Sequence, residues 1–430
     1  FGKSVAADML AAYYDRSVDS FALFEHLEIS SQKSYGIHLN QYDVIKLNMQ
    51  EFLSGTKNVD EMLERIQKFL IFDLLDAYHQ VRFRDEKSLI QVMKDVYSHT
   101  GHPFVILIDE WDCLFREYQQ DYNAQKKYLD FLRVWLKDKD YVALAYMTGI
   151  LPVKKYGSHS ALNMFTEYSM TDPGDLAEYF GFTEQETAFL CEKYEMNFDE
   201  AKTWYDGYQL LVHRQVGNQY YSIYNPKSVV EAMMRHKFGT YWNQTETYEA
   251  LKIYIQMDMD GLKDSVIKML AGECVQVNVG TFSNDMTTFA TKDDVLTLLV
   301  HLGYLTYDST NETVRIPNKE VSQEYVNAIS TMNWYGVAES VEDSRKLLEA
   351  LWALDEESVA DGIAKAHEEI SIIQYNDENS LSCTINLAFY FAREYYTMVR
   401  ELPAGKVLLV GINYNKTTKK HECLIEIIEK

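Results

Sequence analysis

Three stretches of the chain carry the hydrophobic pattern of strands, and the segments between them repeat apolar positions every three to four residues. Tyr42-Asp-Val-Ile-Lys-Leu-Asn48 alternates and predicts a strand. Phe104-Val-Ile-Leu-Ile-Asp-Glu110 is apolar without interruption until its end, which predicts a strand covered on both faces. Tyr141-Val-Ala-Leu-Ala-Tyr-Met147 predicts a third buried strand. The opening VAADMLAAYYD has helical spacing, with Met9, Leu10, Tyr13 and Tyr14 on one side. Residues 60–83, 86–98 and 122–137 repeat that period. Strands alternating with helices predict a doubly wound α/β domain over roughly the first 170 residues.

The pattern then changes. Thr183-Glu-Gln-Glu186 is a capping box that opens one helix, and Asp199 is placed to cap the next, which ends at Gly207. Lys292–Leu302 reads as a helix closed by Gly303, followed by a hairpin of Tyr304–Tyr307 and Thr313–Ile316 around Ser309–Glu312. A helix followed by a hairpin is the outline of a winged-helix unit, with two open roles: DNA binding, or plain packing, since the region lacks a basic stripe. Residues 342–370 and 383–401 predict further helices, and Lys406–Ile412 and Glu422–Ile428 are strand-like.

Composition narrows the picture. Across 430 residues, 41 Lys+Arg face 65 Asp+Glu, a formal charge of −24, which argues against a protein that coats nucleic acid without specificity. The excess concentrates in residues 167–200, where ten acidic residues face one basic residue, Lys193; that surface could meet a basic partner or an adjacent domain. The 47% apolar content excludes disorder as the dominant state and leaves room for two to four domains. Cys113, Cys191, Cys274, Cys383 and Cys423 are scattered singly, which reads as a reduced, cytoplasmic chain without a zinc ribbon. No apolar run reaches 18 residues, so no membrane role is expected.

Two motifs carry chemistry. Gly2-Lys3-Ser4 directly before a helix is the second half of a G-x-x-x-x-G-K-[ST] phosphate loop. In that loop backbone N–H groups cradle phosphates, the lysine reaches the β/γ-phosphates and the serine ligates Mg²⁺. Phe104–Glu110 is a matching strand that ends in two carboxylates. Asp109 can hold the metal's water shell and Glu110 can polarise the attacking water. Thr148, at the end of the third strand, is placed to sense the γ-phosphate or the water. Asp112 reads as a surface residue or an extension of the acidic pair. Arg116 and Lys154-Lys155 read as a solvated basic patch or as charge for the transition state.

FGKSVAADMLAAYYD, IDEWD at 108–112 and TGILPVKKYGSHSALNMFTEYSM at 148–170 resemble the bacterial AAA-ATPase-like proteins, the predicted AAA-ATPases. FGFTEQE (180–186), WYDGY (204–208) and YNPKSVVEAM (224–233) extend the resemblance along the chain. It implies a P-loop NTPase domain of the ASCE type over 1–175 and a helical, winged-helix-like region over 176–335. An α+β domain like the PD-(D/E)xK nucleases would occupy 336–430. The family's phosphate loop typically reads R-P-R-R-F-G-K-S, and this sequence starts inside it. In the nuclease-like domain, Glu378 matches a first-helix carboxylate and Glu401 adjoins the expected catalytic strand. The G-[YF]-A-D and E-L-K segments do not follow Lys406, so the domain reads as incomplete, with some tens of residues expected between about Gly405 and Val407.

The resemblance thus implies an ATP- and Mg²⁺-dependent ATPase coupled to a nuclease-like module for DNA processing or defence. Gly2, Lys3, Ser4 and Asp109 would bind nucleotide and metal, with Glu110 and Thr148 in catalytic roles. The alternative from another class is a nucleotide-responsive switch or interaction protein that does not hydrolyse, with a vestigial nuclease domain.

Overall fold

The computed structural model describes residues 2–152, 162–214, 217–242, 247–257, 259–282, 289–331, 335–369, 378–394, 406–415 and 418–429. These gather into two compact units, one of 1–181 with 281–290 and one of 182–280 with 291–430.

In the first unit, β1 (Asp43–Asn48), β2 (Phe104–Asp109) and β3 (Val142–Met147) form a parallel sheet in that order, with β2 in the middle. The central position explains the sequence of β2: every residue from Phe104 to Ile108 is at most 1% exposed, so a polar side chain has no water to face. β3 departs from expectation. It is an outer strand, and Leu144 remains 36% exposed because nothing among the described residues pairs with its far side.

Crossover helices at Val59–Ala77, Leu89–Thr100 and Tyr122–Leu136 connect the strands. Each starts where a short polar side chain satisfies a free N–H of the first turn: Asn58 accepts from Glu61, Ser88 from Gln91 and Asp121 from Ala124. The opening helix, Lys3–Tyr14, packs on β2 and β1. Its far end is held by Tyr13, whose hydroxyl donates to the Tyr35 carbonyl within a cluster that includes Phe24.

The second unit holds three small antiparallel sheets. β4 (Phe182–Thr183), β5 (Tyr208–Arg214) and β6 (Gly217–Tyr224) are ordered β4-β6-β5. β7 (Val275–Gln276), β8 (Thr306–Asp308) and β9 (Thr313–Arg315) are ordered β7-β9-β8, and β10 (Lys406–Asn415) pairs with β11 (Lys420–Glu429). The β5–β6 hairpin lies in a region read as helical. Its strand β6 buries only its last two residues fully, so the apolar alternation that marks a half-buried strand is weak there.

The Thr183–Glu186 capping box is present and opens helix Glu184–Lys193. The next helix, Phe198–Tyr205, is capped by Asn197, which accepts from Glu200 N at 2.9 Å; Asp199 sits inside the first turn instead. The stretch expected as one helix over 383–401 divides. Helix Glu378–Ala388 gives way to a tighter 3-10 turn at Tyr390–Glu394. Side chains of that turn hold it in place, since Tyr390 bonds Ser322 and Phe391 lies under Arg345. Among the described residues, no helix is long and apolar enough to cross a membrane.

Candidate functional site

Strand register brings the site together. Asn48 lies opposite Asp109, and Ile108 lies opposite Met147, so Asp109 and Thr148 leave the sheet at the same, C-terminal edge. In open α/β sheets ligands bind outside that edge.

Asp109 is 4% exposed and its Oδ1 is held twice, by the Thr148 hydroxyl at 2.6 Å and by Glu110 N at 3.0 Å. The Thr148 hydroxyl therefore donates to Asp109 here, and no nucleotide contact is needed to satisfy it. The two strand ends are also stitched by backbone bonds, Thr148 N to Ile108 O at 2.8 Å and Trp111 N to Thr148 O at 3.0 Å. Glu110 turns the chain out of the sheet with φ 53°, a left-handed conformation uncommon for a residue with a side chain.

Asp112 corrects the surface reading. It is 0% exposed, and its Oδ2 accepts from Ile150 N at 3.0 Å and Leu151 N at 2.8 Å, fixing the loop after β3. A carboxylate buried at a loop satisfies N–H groups that no strand partner can reach. Gly149 belongs to the same construction, since a Cβ there would lie 2.6 Å from the Trp111 ring and 2.7 Å from Asp112 Oδ1. Arg116, in helix Cys113–Glu117, is not a solvated patch. Its side chain is 21% exposed and pairs with Glu110 Oε2, with Nε 3.8 Å from Asp112 Oδ2. Lys154 and Lys155 lie outside the described residues.

The electrostatics of Glu110 summarise its surroundings. Burial raises its carboxyl above the ordinary value; Arg116 and Lys3 oppose that rise, while Asp112 and Asp109 add to it. The influence of Lys3 ties the opening helix to the strand-end carboxylates. Cys113, next in the chain, is pushed up to about 12, chiefly by burial, and is an inert core thiol.

At the opening helix, Gly2 takes a left-handed conformation, φ 68° and ψ 17°, and its carbonyl accepts from Ala6 N at 2.9 Å. Glycine adopts this geometry without the penalty a Cβ would bring. No side chain caps this terminus among the described residues, and no acidic residue occupies the first turn, so the N–H groups of the turn and the positive end of the helix dipole are open to an anion. Ser4 is exposed and Lys3 half-buried beside it. Ser4 and Asp109 both carry oxygen donors of the kind Mg²⁺ takes, a cation that keeps several waters and takes phosphate oxygens from its substrate. No cluster of three or more His, Cys, Asp or Glu able to hold a metal occurs among the described residues.

The remaining candidates are not gathered here. Glu378 opens helix Glu378–Ala388 in the second unit, and Glu401 lies outside the described residues. Helix Lys292–His301, followed by the β8–β9 hairpin, has seven of its ten residues buried, from Asp294 to Val300. Of the acidic stretch, Glu184 pairs with Lys202 at 2.7 Å and Glu186 completes a capping box, while Glu192, Glu195, Asp199 and Glu200 are exposed. The structural roles of Asp112 and Arg116 had one sequence signal, their i,i+4 spacing just after the strand.

A stretch of 253 residues, 57% of this chain, is 21% identical to an uncharacterized protein in the vnfD 5′ region of Azotobacter chroococcum mcd 1. The match covers 46% of that protein, so this chain aligns with less than half of its relative's length. No solved structure matches the chain. Residues 1–158, which contain Gly2–Ser4, Asp109–Arg116 and Thr148, match the family model of the predicted AAA-ATPases.

Proposed function

We infer that the first unit binds ATP with Mg²⁺ and hydrolyses it at the C-terminal edge of its sheet. The observation that carries this reading is the pairing of an uncapped helix terminus at Gly2-Lys3-Ser4 with the Asp109-Glu110 carboxylates, Lys3 being close enough to influence Glu110. The family match over residues 1–158 supports it.

In this reading the helix N–H groups and Lys3 hold the phosphates, and Ser4 and Asp109 hold the metal. Bound Mg²⁺ supplies charge neutralisation at the phosphate oxygens. Thr148 keeps Asp109 in place through its 2.6 Å bond. Glu110 accepts a proton from water as the water oxygen bonds the γ-phosphorus and the bridging bond to ADP breaks. The helix before the β8–β9 hairpin has its surface turned into the core, which favours a packing role over DNA reading for that part. Among the described residues, no geometry extends the reading to nuclease chemistry.

Titration calorimetry with ATP and Mg²⁺, paired with phosphate-release assays, tests this. Glu110→Gln is expected to keep nucleotide affinity and lower turnover by roughly 10²–10⁴-fold, and Lys3→Ala to lose affinity. Absence of a calorimetric signal in the unaltered protein would sink the reading. One observation favours a non-hydrolysing switch as the second reading: the Glu110 carboxylate is already engaged by Arg116. Binding accompanied by equal, background-level rates in the unaltered protein and Glu110→Gln would select it.

A further inference from the structure

We propose that Arg116 is a positioning residue for Glu110, tying the carboxylate at the end of β2 to the loop that follows β3. This rests on the ATP-hydrolysis reading above and names a residue that neither the family match nor a phosphate-loop motif assigns.

Arg116 stands between two carboxylates with different duties. One contact goes to Glu110 Oε2, and Nε approaches Asp112 Oδ2 at 3.8 Å. Asp112 is fully buried and spends Oδ2 on the N–H groups of Ile150 and Leu151, so it is fixed with respect to the loop after β3. Glu110 is 25% exposed at its side chain and sits on a left-handed backbone at the end of the strand, where the chain turns out of the sheet. Without Arg116 its carboxylate would sample several rotamers. The guanidinium holds Glu110 Oε2 directly and lies at ion-pair distance from Asp112, too far at 3.8 Å to hydrogen-bond it, so the direct contact limits that freedom while the nearby acid adds electrostatic hold.

Arg116 is itself well anchored. Its N–H donates to Asp112 O at 3.2 Å, and its helix is rooted by Cys113, Leu114 and Phe115, all buried. The chain Ile150/Leu151–Asp112–Arg116–Glu110 therefore runs from the end of one strand to the candidate base at the end of the next. Displacement of the loop after β3 is transmitted to Glu110 by this chain. General-base catalysis is sensitive to placement at the level of a hydrogen bond, so loss of the tether acts on the chemical step and spares nucleotide binding.

The test is a double-mutant cycle on the full chain with ATP and Mg²⁺, reading kcat, KM and calorimetric Kd. Arg116→Ala is expected to lower kcat about tenfold, a fraction of the general-base contribution, with KM and Kd changed less than about twofold. Arg116→Lys, which keeps the charge and loses the fork, is expected to recover part of the loss. In the Glu110→Gln background, Arg116→Ala is expected to have no further effect, because both act through one carboxylate. A general structural disturbance would lower kcat in both backgrounds and shift Kd and the melting temperature. Unchanged or raised kcat in Arg116→Ala, or additive losses in the double variant, overturns the proposal while leaving ATP hydrolysis standing. Absence of nucleotide binding or of turnover above background in the unaltered protein overturns the underlying reading and this proposal together.

Discussion

Glu324, on helix Lys319–Ser330, is 0% exposed, and among the described residues neither carboxylate oxygen has a hydrogen-bond partner. Burial, with the nearby Glu320 charge adding to it, raises its pKa to about 7. Glu320, four residues before, is buried as well but accepts from Ser228, Tyr241 N and Trp242 N. In the unfolded chain a glutamate ionises near its ordinary value of about 4.3. Between that value and about pH 7 the folded chain holds a proton that the unfolded chain has lost, so stability falls as pH rises through this window. The penalty, on the order of 3–4 kcal/mol, is complete above pH 7. Glu324→Gln is expected to melt several degrees above the unaltered protein at pH 8 and to differ little at pH 5; equal differences at both pH values would count against an ionised buried carboxylate.

Residue-scale chemistry was legible only where it belonged to a contiguous motif. Asp109-Glu110 could be placed at a strand end because the five apolar residues before it announce the strand. The burial of Asp112 could not be read, since it depends on two N–H groups of a loop 38 and 39 residues further on. The same holds for Thr148, whose hydroxyl meets Asp109 across 39 residues.

At the scale of elements, β2 and β3 have similar apolar sequences and different surroundings. Ile106 is 0% exposed in the middle strand, whereas Leu144 is 36% exposed on the outer one. Ile106→Ala is expected to cost about 2–5 kcal/mol through lost contacts and the cavity left behind. Leu144→Ala should cost less than that, because about a third of its surface already faces water and the site can relax towards solvent. Denaturant unfolding of the two variants checks the contrast, and comparable losses would mean that β3 is covered in solution. Sequence pattern identified both as strands, because local composition sets the element type. It assigned β3 to the interior, because sheet order is a property of the whole unit. The β5–β6 hairpin escaped notice for the opposite reason: Gly217–Tyr224 is mostly polar or exposed until its last two residues, Ile223 and Tyr224, so its strand character rests on backbone pairing more than on a continuous buried face.

For the molecule as a whole, division into two units makes a calorimetric prediction. The candidate nucleotide site lies entirely in the first unit, within 1–181. ATP with Mg²⁺ at about a hundred times Kd adds about 2.7 kcal/mol to whatever unfolds with the site. Thermal unfolding is expected to show a nucleotide-sensitive transition beside one that ATP leaves in place. A single transition moving as one body would mean that the units unfold together. The formal charge of −24 likewise resolves into parts: several carboxylates of the 167–200 stretch are spent on caps and pairs, and the exposed remainder is local.

The left-handed backbone at Glu110 carries a consequence for how this protein responds to selection. A side-chain-bearing residue in that conformation costs roughly 1–2 kcal/mol relative to glycine. Pressure for heat resistance alone would push position 110 towards glycine or asparagine, discarding the carboxylate. On the general-base role proposed above for Glu110, pressure for turnover would hold the glutamate and leave the cost to be offset elsewhere in the fold. The two pressures are opposed at a single codon, so laboratory evolution of a hardened variant would be expected to lose its chemistry there first.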